Sequence, residues 1–261
     1  MKHAVTFLFT LFLFLPHATA QDFYVGCASG GGGLKVWNAK TDEICFENKE
    51  NHVVSLVISS DYRRLIAGGF HDKLFFGDTQ NWELIRETKR GNHIYSVLLQ
   101  PNAPNYLSSQ FYPNYPKTYL NNINDDSTVL EYDFFYRYSV FSNDGNWVIG
   151  RIAAYHKADG YVGLIHIPTG KFTYFLKYDG GLRDVGFLPN GKTCYASDEN
   201  GKMIFLNLES GKVVKEWETI FTNKEKISHA SNSLDGKYMI IRGLNTNIIA
   251  LYSIPAGKLI R

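Results

Sequence analysis

Short apolar runs recur along this chain, each about four to eight residues long and rich in Val, Ile, Leu, Phe and Tyr. Beyond residue 20, no segment has the sustained apolar stripe of an amphipathic helix. Turn residues separate the runs, which is typical of antiparallel strands. The clearest succession of strand-like runs is 182–188, 192–197, 203–208 and 213–217. The pattern predicts an all-β chain.

Two series of turns repeat with a common period, and together they predict the architecture. In the first series the glycines of Asp-Gly or Asn-Gly pairs lie 46 and 45 residues apart (191 − 145 and 236 − 191): Gly145, Gly191 and Gly236, with weaker copies at 59–62 and 101–105. The second series recurs in step with the first, at intervals of 41 and 46 residues (211 − 170 and 257 − 211): Gly170, Gly211 and Gly257, with eroded copies at 40–43 and 80–83.

Each period therefore contains four strands, and one four-stranded sheet cannot bury both of its faces alone. Radial packing of such sheets gives a β-propeller. The sequence predicts a β-propeller of about six blades, at residues 22–47, 52–88, 93–134, 136–178, 181–217 and 226–261.

The ends of the third strands resemble those of the WD40 repeat family. The run 34–38 reads Leu-Lys-Val-Trp-Asn, with Asn38 in place of the family's Asp. No repeat retains both the Gly-His and the Trp-Asp pair, so the resemblance implies a degenerate WD40-like propeller without the complete Asp-His-Ser-Trp network. Other residues that match the family pattern are Asp78, Asn207 and Ser253 at strand ends, and His52 and His93 before innermost strands.

The amino-terminal segment has the layout of a cleavable secretory signal. Lys2 precedes an apolar stretch at 4–15, and small residues at Ala18 and Ala20 mark a cleavage site. The stretch is shorter than the roughly 20 residues that span a bilayer. We therefore predict a signal peptide at 1–20 and a WD40-like propeller domain at 21–261, exported to the periplasm or the extracellular space, with no membrane span after cleavage.

One period before the turn at 59–62, the innermost strand of the first blade would fall inside the signal peptide. The cleaved chain is thus expected to have a first blade lacking its innermost strand. Residues following Arg261, a partner or a second copy would supply it, which allows both a domain truncated at its C-terminus and self-association through the open blade.

Charge and motifs limit the possible functions. The formal net charge is +2, and removal of Lys2 with the signal leaves 26 cationic against 25 acidic residues, so nucleic acid is not an expected partner. Cys27 and Cys45 fall on strands with another strand between them, too far apart for a disulfide. We find no metal-ligand spacing and no catalytic or cofactor-binding motif.

We therefore expect a non-catalytic binding or scaffold module with a protein or peptide partner. Tyr115 stands between two prolines, which present an aromatic ring at low entropic cost. The alternatives are a propeller lyase or hydrolase with its site at the central opening, and the propeller part of a longer multidomain exported protein. The candidate binding residues are those of one face: His52, His71, His93, Tyr95, Tyr115, Tyr138, His156, Arg183, Asp184 and Asn200.

Overall fold

The computed structural model describes most of the chain. The described residues are 9–11, 24–29, 33–38, 40–49, 53–59, 63–69, 72–91, 93–111, 116–153, 161–177, 181–198, 200–221, 226–244 and 246–261. Within them the regular structure is β-strand, apart from one 3₁₀ turn at Ile167–Thr169. The strands form six antiparallel sheets, each built from four strands that follow one another in the sequence.

The chain divides into two compact units. The first consists of the described residues of Met1–Leu99 and Pro104–Glu131. It contains sheets 1 to 3, except that Tyr132 at the end of β12 belongs to the second unit. Its strands are β1 (Phe9–Leu11), β2 (Tyr24–Ser29), β3 (Gly33–Asn38) and β4 (Ile44–Asn48) in sheet 1; β5 (Val53–Ile58), β6 (Arg64–Gly69), β7 (Lys73–Asp78) and β8 (Leu84–Lys89) in sheet 2; and β9 (His93–Leu99), β10 (Asn105–Phe111), β11 (Lys117–Asn122) and β12 (Thr128–Tyr132) in sheet 3.

The second unit consists of Gln100–Ala103 and the described residues of Tyr132–Arg261, and it contains sheets 4 to 6. Its strands are β13 (Phe135–Phe141), β14 (Trp147–Ala153), β15 (Tyr161–His166) and β16 (Lys171–Lys177) in sheet 4; β17 (Leu182–Phe187), β18 (Thr193–Asp198), β19 (Lys202–Asn207) and β20 (Val213–Glu218) in sheet 5; and β21 (Ile227–Asn232), β22 (Tyr238–Gly243), β23 (Ile249–Ser253) and β24 (Lys258–Leu259) in sheet 6. In sheet 5 the strand bounds agree with the sequence prediction to within one residue.

The turn between third and fourth strands has one geometry in all six sheets. Four residues after the last residue of the third strand, the backbone is left-handed, with φ between 59° and 66°. Where that last residue is Asn or Asp, its side-chain oxygen accepts a backbone N–H inside the turn, as Asn38 does from Lys40 at 2.9 Å. This bond compensates for the missing Gly in the first three sheets. The left-handed residues are Asp42, Trp82, Asp126, Gly170, Gly211 and Gly257.

The turn between first and second strands contains a Ser-x-Asp-Gly motif in sheets 4 and 6. Ser142 Oγ donates to Asp144 at 2.5 Å and accepts from Trp147 N at 3.0 Å. Partial burial favours the protonated acid, but the bonds from Ser142 and Asn146 outweigh it and hold the pKa of Asp144 below its usual range. Ser233 makes the same bonds in sheet 6. Both turn series predicted from the sequence are therefore confirmed.

Burial explains the strand sequences. Central strands have continuous apolar runs with both faces covered, as in Met203, Ile204, Phe205 and Leu206 of β19. Outer strands alternate, so that β20 exposes Val214 while its neighbours Lys215 and Trp217 are half-buried.

Within each unit, a polar side chain on an outer strand joins one sheet to the following one. In the first unit, Arg86 of β8 donates to the backbone oxygens of Ile123 and Asn124 in the third turn of sheet 3. In the second unit, Lys215 of β20 donates to the backbone oxygens of Ile254 and Pro255 at the equivalent turn of sheet 6. Tyr132 donates to Gly170 O at 3.0 Å in the same manner.

A compact ionic cluster reinforces the seam between sheets 2 and 3. Arg90 Nη2 lies 2.5 Å from Asp126 Oδ1, and both side chains are largely buried. The hydroxyl of Tyr106, a fully buried residue, also donates to Asp126. Burial raises the pKa of Tyr106, so this phenol keeps its proton.

The first sheet differs in one respect from the prediction. In the intact chain it has four strands, because Phe9–Leu11 pairs with β2, with Thr10 opposite Cys27. These residues belong to the segment predicted as a signal peptide. A three-stranded first blade is thus an expectation for the chain after cleavage and does not describe the intact one. Sheet order places β3 between Cys27 and Cys45, as expected, and Cys45 and Cys194 are free thiols.

Candidate partner-binding site

A β-bulge interrupts the first strand of each sheet from 2 to 6, close to the start of the strand. At each bulge one residue has no partner in the register of the second strand. Bulges bend a strand and redirect its side chains, and they are frequent near functional sites. The unpaired residues are Val54, Tyr95, Arg137, Arg183 and Ser228.

Each bulge defines three equivalent positions, which we call the bulge positions: the unpaired residue, the residue after it, and the second-strand residue opposite the latter. In the first unit all of them are uncharged: Val54, Ser55 and Gly68 in sheet 2, and Tyr95, Ser96 and Ser109 in sheet 3. In the second unit seven of nine are ionisable or aromatic: Arg137, Tyr138 and Arg151 in sheet 4, Arg183, Asp184 and Ser197 in sheet 5, and Ser228, His229 and Arg242 in sheet 6. The bulge positions are thus uncharged in the first unit and mainly ionisable in the second.

Asp184 holds the seam between sheets 5 and 6. Its Oδ2 accepts the backbone N–H of Ala230 on β21 at 2.6 Å, and its Oδ1 accepts that of Val185 at 2.9 Å. Tyr195 crosses the same seam and donates its hydroxyl to Ala230 O at 3.1 Å. A Cβ on Gly186 would lie 2.4 Å from the Tyr195 hydroxyl, so glycine is needed there. In the first unit, Ser55 Oγ accepts Val97 N at 2.9 Å in the equivalent place.

Asp184 also orients His229. The Nδ1 atom of His229 lies 2.8 Å from Asp184 Oδ2, while 69% of the His229 side chain is exposed. The hydrogen bond to Asp184 raises the pKa of His229, and the nearby Arg242 opposes the rise. Chemically, this is an imidazole with one nitrogen fixed by a carboxylate and the rest of the ring open to solvent.

The other side chains at this end of the second unit are also accessible. Arg137 and Arg242 are exposed, and Tyr138 retains 41% of its surface. Arg183 and Arg151 are half-buried. Arginine and tyrosine are enriched at protein interfaces, and they combine hydrogen bonding with large contact area.

Of the candidate residues from the sequence, three lie at the bulge positions of the second unit: Tyr138, Arg183 and Asp184. Asn200 is exposed in the turn between β18 and β19, at the same end of sheet 5 because Leu182 pairs with Asp198. Tyr95 and His93 belong to sheet 3 of the first unit, where the Tyr95 ring packs edge-on against Phe111. His52, His71, Tyr115 and His156 lie outside the described residues.

Sequence reasoning missed His229 and the arginines around it. The repeat contained the signal, because His229 lies one period after Asp184 (229 − 184 = 45) and follows its own bulge. The turn signals that indicate the other binding residues do not mark this position of the last sheet.

Metal and membrane sites have no support in the described part of the chain. There, no group of three or more His, Cys, Asp and Glu side chains is arranged to hold a metal ion. The same residues contain no helix of the length and hydrophobicity needed to cross a bilayer.

Comparison with known proteins identifies the fold and no family. No protein-family model matches the chain, and no curated protein matches its sequence. Among solved structures it is similar to the β-propeller domain of Cps50 (Swd1) from Myceliophteria thermophila, with a TM-score of 0.71 and 15% identity over 91% of this chain and 82% of that one.

A second similar structure is the hydrazine synthase of Kuenenia stuttgartiensis, with a TM-score of 0.73 and 15% identity over 88% of this chain and 73% of that one. At such identities the likeness concerns the fold alone. The chain is a β-propeller of about six blades, as the turn period predicts. An enzyme and a protein that is named only by its propeller domain both share this fold, so the function has to be argued from the site.

Proposed function

We propose that this protein is a non-catalytic, exported binding module with degenerate WD40-like repeats, which captures a protein or peptide partner at the bulged end of sheets 4 to 6. One observation carries the proposal: exposed Arg, Tyr and His side chains occupy the bulge positions of the second unit, while the same positions of the first unit are uncharged.

The bonds of Asp184 favour binding over catalysis. Its two oxygens already accept two backbone N–H groups and the His229 ring. The carboxylate therefore acts as a structural acceptor, which keeps the ends of β17 and β21 in fixed positions. A rigid scaffold that presents exposed aromatic and guanidinium groups is the usual form of a recognition surface.

A displayed peptide library tests the proposal. We expect the wild-type chain to select a consensus, and we expect the variant that combines Tyr138→Ala and Arg137→Ala, two exposed side chains, to lose it with an unchanged melting temperature. Lys192→Ala is a matched control, because it removes one exposed cation at the opposite end of sheet 5. Selection that is equal in the wild type and the double variant would contradict the proposed surface.

The Asp184–His229 pair supports a second candidate, a propeller hydrolase or lyase in which His229 is a general base oriented by a carboxylate. Turnover of chromogenic glycosides or peptides that is abolished in His229→Gln would establish it. Loss of peptide selection without any turnover would favour the first proposal.

Export is a separate part of the proposal, supported by the layout of residues 1–20. Cleavage after Ala20 would remove Phe9–Leu11 and expose the backbone of β2 as a sheet edge, which a strand from a second copy can pair with. Mass spectrometry of the secreted chain should find Gln21 at its amino terminus, and light scattering should find self-association. A secreted chain that retains residues 1–20 would refute the cleavage.

A further inference from the structure

We propose that the partner held at the bulge positions of the second unit is an acidic peptide segment, in which Asp or Glu side chains alternate along an extended backbone. This inference rests on the proposed binding function and specifies its chemistry. The cations that would receive the acidic side chains are Arg137, His229 and Arg242, each of which is exposed.

The carboxylates among these groups are already paired within the protein. Asp184 is bound by two backbone N–H groups and His229. Asp198, opposite Leu182, is 6% exposed and accepts the backbone N–H groups of Asn200 and Lys202. On the first and second strands of sheets 4 to 6, the charge that remains accessible is therefore positive.

Just outside these strands, Asp133 precedes β13 and Lys226 precedes β21. One is acidic and the other basic, so together they add no net formal charge. The positive charge thus comes from the bulge positions themselves.

The register pairs residues of the bulge positions across the first and second strands. Tyr138 stands opposite Arg151 on paired strands, and His229 stands opposite Arg242. Directly opposite residues have Cβ atoms about 5 Å apart. Packing of β17 against both β13 and β21 then links the three sheets.

This spacing suits an extended peptide. Alternate side chains of a strand point to the same face and recur about every 7 Å, close to the separation of about 7–8 Å between diagonal cross-strand neighbours. The planar guanidinium group binds a carboxylate through two parallel hydrogen bonds. Tyr138 adds an apolar surface beside Arg151 for the stem of a Glu side chain.

Charge distribution favours a peptide over nucleic acid. The whole chain has a net charge of only +2, and no cation occupies a bulge position of sheets 2 and 3. Nucleic acid binding requires a basic surface that follows many phosphates, whereas a short acidic segment needs only a few arginines.

Fluorescence anisotropy with a short labelled peptide of alternating Glu and Thr tests the inference, with the Gln-Thr counterpart and a single-stranded oligonucleotide as further probes. We expect binding of the Glu peptide only, and weakening at high salt because the Debye length falls from about 10 Å at 0.1 M to about 3 Å at 1 M. Arg137→Ala and Arg242→Ala should each weaken it about tenfold, which is about 1.4 kcal/mol. Lys192→Ala should bind like the wild type.

A charge reversal provides an independent check against misfolding. Arg242→Glu should lose the Glu peptide and gain binding of a Lys-Thr peptide, an outcome that an unfolded chain cannot give. Equal binding of the Glu and Gln peptides, or arginine-dependent binding of the oligonucleotide alone, would overturn the inference. If the library selects neutral peptides through Tyr138, the proposed function stands and the acidic partner is wrong; if it selects nothing, the function itself fails.

Discussion

Replacement of Asp184 by Ala tests how the site is held together. The substitution removes the acceptor for Ala230 N at 2.6 Å and for Val185 N at 2.9 Å, together with the ion pair to His229. Tyr195 still binds Ala230 O, so β21 keeps one of its two side-chain contacts with sheet 5. The backbone N–H of Ala230 is left without the carboxylate that receives it.

The expected loss of stability in Asp184→Ala follows from the individual bonds. A hydrogen bond to a charged group contributes about 1.5–3 kcal/mol, and an ion pair with an exposed partner such as His229 contributes about 0–1 kcal/mol. Counting the bond between the sheets, to Ala230 N, and the ion pair, we expect Asp184→Ala to lower the free energy of unfolding by about 1.5–4 kcal/mol. For a protein of this size, each kcal/mol corresponds to a Tm shift of about 2–4 °C.

Ser55→Ala is the matched control in the first unit, because Ser55 makes the equivalent but neutral bond to Val97 N. Its expected loss is about 1 kcal/mol. Both values can be measured by urea unfolding followed by tryptophan fluorescence, and Asp184→Asn should fall between them because it keeps one acceptor oxygen. An Asp184→Ala chain as stable as the Ser55→Ala chain would refute the argument that the carboxylate holds the seam.

Three further predictions concern other contacts. Asp126→Ala should lower the free energy of unfolding by about 3 kcal/mol in urea titration, because it leaves the Arg90 guanidinium largely buried without its counter-ion. A loss near zero would show that the ionic cluster does not stabilise the fold. The pKa of His229 is raised above its ordinary 6.5, so its stabilisation is complete below that pH and is lost as the pH rises through the folded pKa. Relative to His229→Gln, wild-type stability should therefore fall between acidic and mildly alkaline pH, by under about 1 kcal/mol because the ring is exposed, and parallel pH profiles would exclude the linkage. Gly211→Ala, at φ 66°, should destabilise by about 1–2 kcal/mol in calorimetry, whereas Asp42→Gly in the equivalent turn should cause no loss; equal losses would show that left-handed strain is not the cause.

The repeat could be predicted because its turns are local. A left-handed residue four positions after a capping side chain depends on neighbours in the sequence, so Asn38 and Gly211 reveal their turns without the rest of the fold. Strand bounds follow from the same turns, which is why the four strands of sheet 5 agree with expectation to within one residue.

Contacts between sheets could not be predicted in the same way. Arg90 meets Asp126 from 36 residues away, and Asp184 meets Ala230 from 46. Such pairs depend on the stagger of one sheet against the following one, which no local pattern specifies. The bulges are similarly hidden, because one extra residue in a strand changes the side-chain alternation only slightly. For the same reason the sequence indicates Arg183 and Asp184 as candidates but not His229, the partner of Asp184.

Hydrogen–deuterium exchange of the chain with and without the labelled Glu-Thr peptide locates the bound peptide on the protein. We expect slower exchange at the starts of β13, β17 and β21, with no change at the equivalent starts of β5 and β9. Protection confined to β5 and β9, or none under conditions where the peptide is bound, would contradict binding at the bulge positions of the second unit.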